Sequence, residues 1–82
     1  MLTEAQVLDT LKAQMTNTLE DLDPNTITLS KTMRDLGANS IDEVEITSRV
    51  LRQLRIKIPL NELAKVDTIG EFVTLVVNRS QG

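Results

Sequence analysis

The chain has 82 residues, 40% of them hydrophobic, with a net charge of −3 and neither Cys nor His. Its length fits one domain, residues 1–82, and the missing thiol and imidazole groups exclude a disulfide framework, a Cys/His metal cluster and the commonest nucleophile–base pairs. One aromatic residue, Phe72, leaves nothing for bases to stack on, so nucleic-acid binding is not expected.

No basic start followed by an apolar run reads as a leader. The longest apolar run, residues 73–77, is interrupted by Thr74 and is far too short to cross a membrane. A cytoplasmic monomer without membrane attachment is the expectation. The charge is unevenly spread. Residues 1–48 hold three basic residues against nine acids, a net of −6, whereas residues 49–82 hold six against three, a net of +3. That asymmetry is a handle for a charged partner.

A first helix is predicted from about residue 4 to about residue 20. Thr3 and Gln6 form a capping-box pair. Leu8, Leu11, Met15, Leu19 and Leu22 recur at three and four residues as one apolar stripe. Asp23-Pro24-Asn25 ends the pattern, because proline cannot continue a helix. A long loop over about 23–39 follows, pinned by Ile27, Leu29, Met33 and Leu36, with a helical turn expected at about 30–34. Asp21-Leu22-Asp23-Pro24-Asn25 imitates the opening of a calcium loop. Thr26 and Thr32 stand where that loop needs Gly and Glu, so the reading fails.

A second helix is predicted over about 41–55. Pro59 opens a short third one to about residue 65, and Thr68 and Glu71 box the start of a fourth that runs to about residue 78. The expected fold is all-α: a small antiparallel bundle of three main helices plus one short helix. Leu8, Leu11, Met15, Val44, Val50, Leu54, Phe72 and Val76 are its expected core.

At about 100° per residue, Val44, Ile46, Val50, Leu51 and Leu54 fall on an arc of the second helix from about 140° to about 300°, with Ile41 at zero. Ile41 lies outside that core arc and shares a face with Glu45, Ser48, Arg49 and Arg52, with Asp42 nearby. Glu43 points coreward, but it sits in the first turn, where a side chain can splay to water and suits the helix dipole. Ser40 stands at the start of this helix, at or near its cap. Serine is a preferred cap, which accounts for most serines in such places, but Asn39 is able to take that role instead. Gly37 allows a sharp turn just before. A phosphate ester on Ser40 would meet the positive end of the helix dipole. With no catalytic partner in sight, the serine reads as an attachment point rather than a catalyst.

Leu36-Gly37-Ala38-Asn39-Ser40-Ile41-Asp42, with the preceding Asp35, the later Ile58-Pro59 and the Thr68 helix start, resembles the acyl carrier proteins. The resemblance implies that Ser40 carries 4′-phosphopantetheine, whose thiol the cysteine-free chain lacks. It implies that Ile41 meets the transferase that adds the arm, and that Asp42 and Glu45 meet basic partner surfaces. Asn39 replaces the family's usual Asp, which helps position the transferase's metal. Arg49, Arg52 and Arg55 replace the acids typical of fatty-acid carriers. Residues 58–64 and 68–72 look like freestanding carriers of bacterial polyketide pathways, and within those like donor carriers of β-branching cassettes. The implied partners are a phosphopantetheinyl transferase and an acyltransferase, ketosynthase or HMG-CoA-synthase-like enzyme. The expected docking face is Ile41, Asp42, Glu45, Arg49 and Arg52. A peptidyl or D-alanyl carrier and an unmodified helical adaptor are the competing readings.

Overall fold

The computed structural model describes residues 1–81. They form α1 (Glu4–Thr18), α2 (Ser40–Leu54), α3 (Leu60–Leu63) and α4 (Ile69–Ser80), with 3-10 turns at Pro24–Thr26 and Arg34–Leu36. Among the described residues there is no strand, only an isolated bridge between Thr32 and Thr68. The all-α expectation holds. The start of α1 lies beside the ends of α2 and α4, and the Leu2 amide donates to Ser80 Oγ at 3.2 Å, so α1 runs antiparallel to both.

Local chemistry sets the helix starts. The expected boxes are formed: Thr3 with Gln6 ahead of α1, and Thr68 with Glu71 ahead of α4. The α1 stripe is shifted by one residue. Val7, Leu11 and Met15, spaced four apart, are buried, while Leu8, Leu19 and Leu22 are only partly covered. They meet Ile46, Val50 and Leu51 from α2 and Ile69, Phe72, Val73 and Val76 from α4. Burying side chains of this size contributes roughly 1.5–3 kcal/mol each, an upper bound set by the unfolded reference.

Four expectations need correction. Val44 is 51% exposed rather than core. It sits at the edge of the apolar arc, opposite a third helix of only four residues, too short to cover it. Leu54 is partly rather than fully buried, because α2 ends there. Leu29 does not pin the loop through its side chain, which is 47% exposed; its backbone does that work. The loop's helical turn falls at Arg34–Leu36, where Gly37 at φ 101 closes it with an N–H bond to the Arg34 carbonyl.

The loop is stitched to α4. The first four amides of a helix lack partners within it. Here the Ile69 N–H donates to the Lys31 carbonyl at 2.8 Å and the Gly70 N–H to the Leu29 carbonyl at 2.9 Å. Gly70 permits this approach: a Cβ there would lie 3.0 Å from the Leu29 oxygen. An exposed ion pair, Arg34 with Asp67 at 2.7 Å, crosses the same seam.

Candidate functional site

The loop delivers the chain to α2 through a fixed sequence of turns. Gly37 reverses it in the left-handed region, and Ala38 is buried, with its N–H on the Met33 carbonyl at 3.1 Å. Asn39 then caps α2. Its Oδ1 accepts from the Asp42 N–H at 2.8 Å, and Asp42 Oδ2 accepts from the Asn39 N–H at 3.1 Å. Ser40 is therefore the first residue inside the helix, not its cap. It is exposed, and its hydroxyl enters no hydrogen bond among the described residues. The N–H groups of Ser40 and Ile41 also lack partners among the described residues. An exposed hydroxyl beside two free amides at the positive end of a 15-residue helix suits a phosphate ester.

A cleft of about 380 Å³ opens beside Ser40 between α2, α3 and the Met33–Arg34 turn. Val44, Thr47, Leu60, Leu63 and Val66 line it, and Phe72, 1% exposed, is part of its floor. Its volume is at the low end of the range of about 300–1,000 Å³ usual for small-molecule sites. Leu60 is 66% exposed at its rim. Of these residues, Val44 and Phe72 were assigned to the core by periodicity. The signal for Val44 was its position at the edge of the apolar arc; Leu60 had none beyond its place after Pro59. Glu43 also borders the cleft, half-buried rather than fully splayed to water.

On the outer face of α2, Ile41 is 75% exposed, Asp42 is committed to the cap, and Glu45 pairs with Arg49 at 2.6 Å. Arg52 is exposed and unpaired among the described residues. The five residues of the expected docking face thus occupy the helix that Ser40 begins, with Ile41 exposed and Arg52 in no ion pair among the described residues. Among the described residues no cluster of carboxylates forms a metal site, and no helix is long and apolar enough to cross a membrane.

Near the site, the backbone N–H of Thr32 holds the Asp35 carboxyl below its ordinary range, against a smaller opposing effect of burial. Across the seam, the backbone N–H groups of Thr68 and then Asp67 do the same for Glu71. The Arg34 guanidinium is raised further by its hydrogen bond to Asp67. These contacts fix the loop and the start of α4, and Arg34 and Asp67 also line the cleft.

Comparison with known proteins agrees with this geometry. Residues 9–76 match the family described as "Phosphopantetheine attachment site". The chain is 32% identical over 76 residues to the polyketide biosynthesis acyl-carrier-protein AcpK of Bacillus subtilis, covering 93% of each. It is 36% identical over 69 residues to a segment making up 2% of the hybrid PKS-NRPS synthetase poxE of Penicillium oxalicum, a span of 84% of this chain. A 47-residue match to the acyl carrier protein of Wolinella succinogenes is 38% identical and covers 57% of this chain and 62% of that protein. With a bundle that leaves a free serine at a helix start and a family match over most of its length, the chain belongs to the acyl carrier proteins, which hold 4′-phosphopantetheine covalently on a serine.

Proposed function

We propose that residues 1–82 act as one non-catalytic carrier domain with the arm on Ser40. In this reading the protein donates a short acyl group, acetyl formed from malonyl, to the β-branching steps of bacterial polyketide assembly. The observation that carries the site is the release of Ser40 from capping by Asn39, which leaves its hydroxyl exposed. The arm supplies a terminal thiol that binds the acyl group as a thioester. The free amides of Ser40 and Ile41 favour the phosphate of the ester. Tethering raises the concentration of the cargo at each partner's active site. The discrete relative AcpK, similar along nearly its whole length, supports a polyketide context.

The partners in this reading are a phosphopantetheinyl transferase, an acyltransferase or ketosynthase, and an HMG-CoA-synthase-like acceptor. They dock on Ile41, Asp42, Glu45, Arg49 and Arg52, and the protein works as a cytoplasmic monomer. The mixed charges of that face discriminate against partners built for an all-acidic helix. Transfer from the loaded protein to a β-branching synthase is the test. Acetyl should be transferred. Arg49→Glu with Arg52→Glu should impair binding while leaving the melting temperature nearly unchanged, because exposed charges contribute little to stability. Transfer of long fatty acyl groups but not acetyl, or binding that survives the double reversal, would count against this reading.

A further inference from the structure

The end of the bundle remote from Ser40 carries cations that enter no ion pair among the described residues. Ser40 and Leu54 are the first and last residues of α2, about 20 Å apart at helical rise. Beyond Leu54, a groove of about 470 Å³ runs between Leu54, Arg55, Ile56 and Lys57 on one side and Leu2 and Arg79 on the other. No acid occurs between Glu45 and Glu62, a stretch that holds Arg49, Arg52, Arg55 and Lys57. Among the described residues the ion pairs are Arg34–Asp67, Arg49–Glu45 and Arg79–Glu62. Arg52, Arg55 and Lys57 are exposed and belong to none of them.

Arg55 is also strained. Its backbone lies in the left-handed region, at φ 59 and ψ 42, where it closes α2. The Ile56 N–H reaches the Leu51 carbonyl at 2.9 Å and the Arg55 N–H the Arg52 carbonyl at 3.2 Å. Glycine fills such a position without strain. Among the described residues no ion pair holds the guanidinium that the chain presents there instead.

We infer that this cationic groove is a second docking surface, one that takes an acidic, extended segment of a partner protein. Charge complementarity selects the acidic residues of that segment, and the partly covered Leu54 and Ile56 give it an apolar foothold. Nucleic acid is disfavoured by the net charge of −3 and by the burial of the sole aromatic residue. The groove's two unpaired cations, Arg55 and Lys57, fall short of the roughly four to eight that mark a surface for anionic lipid. A partner holding the carrier here leaves Ser40 and its cleft open, so holding and acyl transfer proceed together. The inference does not depend on the identity of the cargo.

The test is an amide-shift titration of the isotope-labelled protein without its arm, using the capped peptide Glu-Glu-Leu-Glu-Glu-Ile-Glu-Glu as probe. Shifts should centre on Arg55, Ile56 and Lys57, spare Ser40, Ile41 and Arg52, and weaken with salt. Arg55→Gln with Lys57→Gln should reduce affinity about tenfold, as loss of two attractive charges implies, whereas Lys31→Gln with Lys65→Gln should not. Arg55→Gly should raise the melting temperature and still weaken binding, which separates the charge from the fold. Shifts spread over every basic residue, unchanged affinity in the Arg55/Lys57 variant, or stronger association with phosphatidylserine vesicles than with the peptide would overturn the inference.

Discussion

The starts of α2 and α4 share a local design and have opposite fates. Each opens with a reciprocal capping box, Asn39 with Asp42 and Thr68 with Glu71. At α4 the next two donors, the amides of Ile69 and Gly70, are consumed by loop carbonyls, and the residues beneath them are core. At α2 the equivalent amides of Ser40 and Ile41 find no partner among the described residues, and Ile41 is exposed. The first start is a joint and the second is a site. What separates them is the loop, which closes over one helix start and passes the other by. A helix start becomes functional through what tertiary structure leaves unsatisfied.

The largest test of that contrast is paired truncation. Phe72→Ala, beneath the α4 joint, should cost about 3–5 kcal/mol, enough to threaten a domain of this size, as read by denaturant unfolding. Ile41→Ala should stay within about 0.5 kcal/mol of the parent protein. Equal effects would erase the distinction between joint and site. Next in size, Gly37→Ala forces a side chain onto φ 101 and should cost about 1–2 kcal/mol, lowering the urea midpoint. An unchanged midpoint would mean that the turn ahead of Ser40 relaxes without it. Asn39→Ala should cost about 1 kcal/mol, or about 4–8 °C in melting temperature, because the cap is lost.

A smaller effect should appear with acid. The Glu71 carboxyl is depressed in the folded protein by amides of Thr68 and Asp67. Below the ordinary carboxylate range the unfolded chain takes up that proton first. The stabilisation is therefore complete above that range and is lost as pH falls through the depressed folded value. Stability measured from neutral to acid pH should fall less steeply in Glu71→Gln. An identical pH profile would remove Glu71 from the joint.

Much of this contrast was legible in the sequence, and the rest was not for a definite reason. The boxes at Thr3/Gln6 and Thr68/Glu71 are local patterns and were read directly. The box at Asn39 was only half legible, since Asp42 stands where the pattern usually has Glu or Gln, and Ser40 offers a competing cap. Periodicity found Leu11, Met15 and Val50 but chose Leu8 over Val7, its neighbour about 100° away around the helix. Val44 was misassigned because its exposure depends on how little α3 covers, which the angle around α2 does not encode. The Lys31 and Leu29 carbonyls that stitch the loop to α4 are backbone groups, invisible to any reading of side chains.

Ser40 must be free of structural work if it is to take the arm. The direct measurement is thermal melting and intact mass of Ser40→Ala beside the parent protein, after incubation with coenzyme A and a broad-specificity phosphopantetheinyl transferase. The parent should gain one arm, mapped to Ser40, while Ser40→Ala should gain none and melt at nearly the same temperature. An arm on Ser40→Ala, an unmodified parent, or a loss of stability in Ser40→Ala matching that of a missing cap would contradict that role for Ser40.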